Sequence, residues 1–382
     1  MIYVHIPFCR SFCTYCDFYS EVASRCSRDE QQKFASFSRA LAREAAMRAG
    51  EVTDQINTLY IGGGTPSVLP LYVFESLLET LRECGLSCIF DEFTVEVNPE
   101  DILEKGPAYV EGLLRMGVNR VSMGVQSFDD GILRWMNRRH DSESARKAYA
   151  ILETAGAPNI SIDLIFGLSQ LSDSQWAETL DKALDISSVG RLPHHISSYQ
   201  LSVEPGSALA RLVERGEWAE ASDELCERQY SMLCDRLHQS GYHHYEISNF
   251  AQPGYEAKHN SAYWKHVPYV GLGPGAHSYM PDAARQWNEG DLGLYLKAGQ
   301  TGDFSLLQGR EELTQEQLVL EHIMLGLRTS EGLPEEYLRA NCDAVQLDMA
   351  LACGHLVRQS EGLLRIPESH FFISDSIISS LV

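Results

Sequence analysis

Long hydrophobic stretches are missing from this sequence of 382 residues. No apolar run approaches the roughly 20 residues that a helix needs to cross a bilayer, so we expect no transmembrane segment. The first residues, Met1 to Ile6, contain neither a basic region nor a cleavable apolar stretch. We therefore predict no secretion signal and a cytoplasmic location.

Basic residues are also scarce, since 31 lysines and arginines stand against 53 acidic residues and give a net charge of −22. A field of this sign repels phosphate backbones and anionic lipid, and we expect no nucleic-acid partner.

Cysteine is sparse too: ten residues are too few for a disulfide scaffold in a chain of this length. Three of them nevertheless crowd together near the N-terminus, at Cys9, Cys13 and Cys16.

Short β-rich runs alternate with helical patterns along most of the chain. The predicted strands are Tyr3–Ile6, Thr58–Ile61, Thr94–Val97, Arg120–Met123, Ser161–Phe166 and Ile196–Leu201. Connections of this length, filled by helices, imply parallel strands with right-handed crossovers. The pattern predicts an α/β fold that is either a partial (β/α)6 TIM-type barrel or an open doubly wound sheet, and spacing alone does not separate the two.

Two further segments follow the predicted barrel, which we assign to residues 1–240. Residues 241–299 are loop-rich and hold five histidines, and residues 300–382 look like a small helical domain of winged-helix type. In this tail we predict a helix capped by Thr314, a second helix over Asp343–Gln359, and a two-stranded wing from Leu363–Ile366 and Phe371–Ile373. The second helix carries a single basic residue, which favours a packing module over DNA binding.

Polar residues gather where the predicted strands end. Gly62-Gly63-Gly64-Thr65 follows the second strand, Glu96 closes the third, Gln126 follows the fourth, and Asp163 lies within the fifth. In both candidate folds ligands bind at the carboxyl ends of the strands. We therefore expect these residues to share one site.

The cysteine spacing, Cys9-x3-Cys13-x2-Cys16, suits an iron–sulfur cluster or zinc. Three cysteines leave one iron of a four-iron cubane open, whereas clusters used only for electron transfer usually have four. An open iron suits a cluster that binds a small molecule and passes it an electron. The alternative is a structural zinc on the three cysteines and His5, in an α/β binding protein.

Four motifs occur in order: Tyr3-Val4-His5-Ile6-Pro7-Phe8-Cys9, Gly62-Gly63-Gly64-Thr65-Pro66-Ser67, Val121 to Phe128, and Ile162 to Leu168. Together with the cysteine spacing they resemble the HemN/HemW family of radical-SAM proteins, which comprises oxygen-independent coproporphyrinogen III oxidases and heme chaperones. The resemblance implies a [4Fe-4S] cluster on the three cysteines and S-adenosylmethionine (SAM) chelated to the open iron.

The resemblance also implies which residues contact SAM. These are Tyr3, Tyr15, Gly63, Gly64, Thr65, Glu96, Gln126, Arg138 and Asp163. The tyrosines would flank the cluster and SAM, and the glycines and threonine would offer a backbone edge to the methionine amine. The two carboxylates would accept hydrogen bonds from the ribose or the ammonium group, and the glutamine and arginine would donate to the ribose and the carboxylate.

Two branches of the family remain to be distinguished. The oxidases have a fourth cysteine two residues after the third, where this chain has Phe18, and a long extension before the cluster motif. His259-Asn260-Ser261-Ala262-Tyr263-Trp264 matches a motif of the chaperone branch. Imidazole is a common axial ligand of heme iron, so His259 is the candidate heme ligand, with His266 and His277 as alternatives.

The resemblance therefore favours a chaperone that binds heme or porphyrin and hands heme to acceptor proteins. Oxidative decarboxylation of coproporphyrinogen propionates is the alternative. A reductase or flavodoxin-type protein is the expected electron donor, and a homodimer is an oligomeric state that the sequence allows.

Overall fold

A computed structural model of the chain describes residues 1–23, 27–53 and 55–382. Its strands are β1 (Ile2–Ile6), β2 (Phe8–Cys9), β3 (Glu21–Val22), β4 (Thr58–Gly63), β5 (Glu92–Val97), β6 (Arg120–Gln126), β7 (Ile160–Phe166), β8 (His195–Gln200), β9 (His243–Glu246), β10 (Asn249–Ala251), β11 (Val270–Leu272), β12 (His277–Tyr279), β13 (Ala284–Asn288), β14 (Gln308–Glu312), β15 (Leu333–Pro334), β16 (Val357–Arg358) and β17 (Leu363–Arg365).

The helices occupy the connections between the strands and most of the tail. They are α1 (Ser27–Arg48), α2 (Leu71–Glu83), α3 (Pro99–Arg115), α4 (Asp130–Trp135), α5 (Ser142–Thr154), α6 (Asp173–Leu184), α7 (Ala208–Glu214), α8 (Asp223–Gln239), α9 (Lys258–Trp264), α10 (Leu292–Thr301), α11 (Gln315–Gly326), α12 (Glu335–Asn341), α13 (Ala344–Cys353) and α14 (Ser374–Leu381). Within the described ranges, none of them is long and apolar enough to span a membrane.

The main sheet contains the six predicted strands, in chain order and parallel to one another: β1, β4, β5, β6, β7 and β8. The order does not reverse, as it would at the switch point of a doubly wound sheet, so the arrangement is that of a partial barrel.

Strand β6 shows how the sheet positions the site. Its residues Val121, Met123 and Val125 are fully buried in the core, while the alternate residues Gly124 and Gln126 line a cavity.

Both edges of this sheet come from residues 241–299, which we predicted to be loop-rich. Strand β11 pairs parallel with β1 through Ile2 and Val270, whereas β10 pairs antiparallel with β8 and β9 lies beyond it. The prediction missed these strands because each has only three or four residues. Alternation over so few residues gives no signal in the sequence.

The tail contains a capped helix and a small sheet, but two details of its prediction are wrong. Thr314 caps α11 as predicted, whereas α13 stops at Cys353 because Gly354, with φ 79°, adopts a left-handed conformation. The third strand of the small sheet, order β15-β17-β16, comes from Val357–Arg358. Residues Phe371–Ile373 are not a wing strand. They end a 3-10 helix, and Phe371 is buried in the core.

Candidate functional site

One cavity of about 510 Å³ opens at the carboxyl ends of strands β4 to β8. Its lining contains the three cysteines and most of the residues that the resemblance assigned to SAM, namely Tyr15, Gly63, Gly64, Thr65, Glu96, Gln126, Arg138 and Asp163. Two predicted site residues, Tyr3 and His259, lie outside this lining. The sheet therefore brings together residues as far apart in the chain as Cys9 and Asp163, because parallel strands end at one edge.

The cysteine loop is anchored to the end of α4 and to the residues that follow it. The Asn137 side chain donates to the carbonyl of Phe12 at 2.7 Å, and the Thr14 hydroxyl donates to the carbonyl of Trp135 at 2.9 Å. Burial raises the pKa of the Cys9 thiol and raises that of Cys16 to about 12. Because a metal centre is bound by thiolates, its binding to these cysteines would release their protons.

A chain of hydrogen bonds joins two of the cysteines across the cavity wall. The Thr65 hydroxyl donates to the Cys9 sulfur at 3.3 Å and accepts from the Asn98 amide at 3.2 Å. Arg138 donates to Oδ1 of Asn98 at 2.8 Å and, through Nη1, to the Cys13 sulfur at 3.5 Å. Asn98 is a site residue that the sequence analysis missed, although it directly follows the buried strand β5 in Val-Glu-Val-Asn-Pro.

The glycines after β4 leave space that a side chain would fill. A Cβ on Gly64 would lie 2.8 Å from the carbonyl oxygens of Ile6 and Phe8 and 3.1 Å from the Cys9 sulfur. Gly63 has φ 102°, which favours glycine, and a Cβ there would lie 2.6 Å from the His5 ring. Without side chains, the backbone of Gly63 and Gly64 thus comes close to the cysteine loop. A ligand that hydrogen bonds to the backbone itself requires such an unobstructed edge.

Two partly buried carboxylates face the cavity from β5 and β7, the strands on either side of β6. Glu96 accepts from the Tyr60 hydroxyl at 2.6 Å and from the amide of Gly63 at 3.2 Å, and burial raises its pKa to about 7. Asp163 accepts from the Ser122 hydroxyl at 3.1 Å, and burial raises its pKa as well. Such acceptors suit a ligand with hydroxyl groups and positive charge, whose charge would favour the ionised carboxylates.

Two more cavity residues are held in conformations typical of functional sites. Gln126 has φ 67°, a left-handed conformation that is uncommon for a side-chain-bearing residue, and the pairing of β6 with β7 shifts register beside it. The Nε atom of Arg138 is buried, and it has no hydrogen-bond partner in the described part of the chain. Both side chains thus face the cavity with donor groups that a bound anion or carbonyl would satisfy.

The zinc alternative required His5 as a fourth ligand. Both its ring nitrogens are hydrogen bonded, Nδ1 with the Tyr3 hydroxyl at 3.0 Å and Nε2 with the carbonyl of Tyr19 at 2.8 Å. The thiols instead surround a cavity, which fits a cluster better than a single ion.

His259 lies at the opposite end of the sheet from the cysteines. It is fully buried on α9, with Nδ1 bonded to the Thr58 hydroxyl at 2.8 Å and Nε2 to the Tyr263 hydroxyl at 3.0 Å. Its backbone amide donates to Glu92 at 3.0 Å, and burial lowers its pKa to about 3. Neither ring nitrogen is left for an iron, so this geometry does not support His259 as a heme ligand.

Comparison with known proteins agrees with this site. Residues 3–183 match the Radical SAM superfamily. The chain is 34% identical to the heme chaperone HemW of Lactococcus lactis, over 87% of this chain and 82% of that protein. It is 31% identical to the heme chaperone HemW of Mycobacterium tuberculosis, over 100% of this chain and 94% of that protein. The chain belongs to the HemW family of radical-SAM proteins.

Membership of this superfamily implies a [4Fe-4S] cluster and SAM as cofactors. Among solved structures, coproporphyrinogen III oxidase (HemN) from Escherichia coli has the same fold, with a TM-score of 0.79 and 23% identity over 99% of this chain and 89% of that one. The match confirms the predicted α/β class with a partial TIM-type barrel. At this level of identity the likeness concerns the fold only.

Proposed function

We propose that this chain is a cytoplasmic heme chaperone, which binds heme beside a [4Fe-4S] cluster and SAM and passes the heme to acceptor proteins. The observation that carries the proposal is the identity of 34% over 87% of the chain to a protein named heme chaperone. The oxidase alternative has support only from a shared fold. Heme-accepting proteins are the proposed partners, with a reductase or flavodoxin-type electron donor and a homodimer as further parts of the proposal.

In this proposal Cys9, Cys13 and Cys16 hold the cluster, which supplies an electron to bound SAM. Gly63, Gly64 and Thr65 give SAM a backbone edge to lie against. Glu96 and Asp163 accept hydrogen bonds from its hydroxyl or ammonium groups, since both carboxylates face the cavity. Gln126 and Arg138 donate to its polar groups, and Arg138 also holds the cysteine loop through Cys13.

Exposed aromatic rings at the rim of the cavity support a flat, apolar cargo. Phe18 is 63% exposed and Phe12 is 53% exposed, and both line the cavity that contains the cysteines. Large apolar side chains left in solvent beside a polar cavity are typical of a binding surface. A phenyl ring at position 18 contributes a flat face, whereas it neither ligates metal nor relays protons as the oxidase cysteine could.

The test is an anaerobic comparison of heme binding, heme transfer and porphyrin turnover by the reconstituted protein. We expect wild type to bind hemin and to transfer it to apomyoglobin, without decarboxylating coproporphyrinogen III in the presence of SAM and reductant. Phe18→Ala should weaken hemin binding by about tenfold, which corresponds to about 1.4 kcal/mol of lost apolar contact. Leu306→Ala, at a residue that is 83% exposed and outside the cavity lining, is the control.

Two results would contradict the proposal. SAM-dependent production of protoporphyrinogen by wild type would make the chain an oxidase. Failure of wild type to retain hemin, in a preparation with a full complement of iron and sulfide, would remove the carrier function.

A further inference from the structure

A second groove, of about 580 Å³, lies beside the cluster cavity. The two share Asp17 and Phe18 as a common wall. Tyr3, which lines the groove, lies opposite Tyr60 in the pairing of β1 with β4, and Tyr60 lines the cavity. Directly paired residues face the same side of a sheet, so groove and cavity lie on one face of the barrel strands.

Residues 241–299 contain five histidines, and four of them have at least one ring nitrogen that is already engaged. His243 contacts Glu256 at 3.1 Å, His244 contacts the Tyr230 hydroxyl at 3.3 Å, His259 is bonded through both nitrogens, and His266 contacts Glu321 at 3.0 Å. His277, the fifth, has no hydrogen-bond partner for either nitrogen within the described residues, and it lines the groove. An imidazole with a free lone pair at the wall of an open groove is available to a metal.

The surroundings of His277 fix the orientation of its ring. His277 on β12 is paired with Trp287 on β13, and their rings are near-parallel, with centroids 6.2 Å apart and 23° between the planes. The indole is fixed in turn, because Nε1 of Trp287 donates to Glu289 at 3.0 Å. Partial burial lowers the pKa of His277, which favours the neutral form of the imidazole that binds metals.

Tyr19, which also lines the groove, packs against two glycines. A Cβ on Gly290 would lie 2.9 Å from the Tyr19 ring and one on Gly275 would lie 3.2 Å from its Cβ, so that the tyrosine occupies the space which these residues leave. The Tyr19 hydroxyl accepts from the amide of Leu292 at 2.7 Å, which fixes the ring. The groove is thus lined by aromatic rings that are held in place, and its volume takes a flat ring system.

We propose that this groove is the heme site, with a ring nitrogen of His277 as the axial ligand and Phe18 covering the edge nearest the cluster. This inference rests on the proposed function. The neutral imidazole donates its lone pair to ferric iron and displaces a bound water, with no change in oxidation state. Asp17 and Glu289 line the groove with negative charge, so the propionates point toward solvent, where an acceptor protein reaches the porphyrin edge.

The test compares wild type with His277→Gly and Trp287→Leu in hemin titrations, with resonance Raman and electron paramagnetic resonance spectra of the bound heme. His277→Gly should lose the histidine-ligated signature and bind hemin at least roughly tenfold more weakly, and added imidazole should restore the signature. Trp287→Leu should weaken binding but keep the signature. His238→Ala, at an exposed histidine on α8, is the matched control and should behave as wild type.

The outcomes separate this inference from the proposed function. If wild type binds hemin and His277→Gly, with normal iron content, gives the same affinity and spectra, then the groove is not the heme site while the carrier function stands. Unchanged affinity in Trp287→Leu would likewise move the porphyrin elsewhere. If wild type binds no hemin, the proposed function fails and this inference fails with it.

Discussion

Gly64 is the residue at which a single methyl group should test the cavity. Gly64→Ala places a Cβ against two carbonyl oxygens and the Cys9 sulfur, and backbone atoms cannot move aside as a flexible side chain would. We expect a lower iron content after reconstitution and about tenfold weaker SAM binding by anaerobic calorimetry, corresponding to about 1.4 kcal/mol of overpacking. Gly50→Ala, where nothing lies within 4 Å of the added atom, is the control. Equal iron content and SAM affinity in the two variants would show that Gly64 does not define the site.

Side chains with unusual spacing could be found from the sequence, and side chains that act through tertiary contact could not. The three thiols are visible because they crowd together in a chain with few cysteines. Asn98 became a site residue only when the structure placed it between Thr65 and Arg138. The histidine motif was visible too, but the environment of His259 depends on Thr58 and Glu92, which are far away in sequence.

Elements of the barrel were predicted because each central strand is a buried run of five to seven residues followed by a long amphipathic helix. Edge strands escaped prediction because they are short, and their position depends on partners that are distant in the chain. The turn between β9 and β10 illustrates this dependence. Its Glu246 is fully buried, and it accepts from the amide of Ser248 at 2.9 Å and from the Asn249 side chain.

This turn should make stability depend on pH. Burial raises the pKa of Glu246 from 4.5 to about 7, so the folded state binds the proton more tightly than the unfolded state. The stability that this group contributes is complete below pH 4.5 and is lost as the pH rises through about 7. Between pH 6 and 8 the loss should be about 1.4 kcal/mol, equivalent to one pKa unit.

Urea unfolding of the apoprotein at these two pH values measures that loss. Glu246→Gln carries no titrating group, so the decline in its unfolding free energy should be smaller than that of wild type by this amount. Glu220→Gln, at an exposed position, should match wild type. Equal pH dependence in wild type and Glu246→Gln would mean that this carboxyl does not control the turn.

At the scale of the whole molecule, the tail packs against the sheet edge that residues 241–299 provide. Phe371 is fully buried, and its ring centroid lies 5.0 Å from that of His244, which stacks on Phe250 at 4.0 Å. Phe372 lies 5.6 Å from Tyr230 on α8. The sequence could not indicate this arrangement, because an apolar run of three residues looks the same in a strand and in a turn that packs onto another element. The tail thus contributes to the core of the barrel as well as to its own small sheet.

This packing predicts that tail and barrel unfold together. Phe371→Ala removes a fully buried ring from a core cluster that also contains Phe250, and the cavity it leaves should lower the free energy of unfolding by about 3–5 kcal/mol. Because the lost contacts join the tail to the barrel edge, the loss should appear in one cooperative transition that both near-ultraviolet circular dichroism and tryptophan fluorescence follow. Ile373→Ala, at a neighbouring residue that is 39% exposed, should cost much less. Two separate transitions in wild type, with only the weaker one shifted by Phe371→Ala, would instead show that the tail folds independently and that its contact with β9 and β10 contributes little to the stability of the barrel.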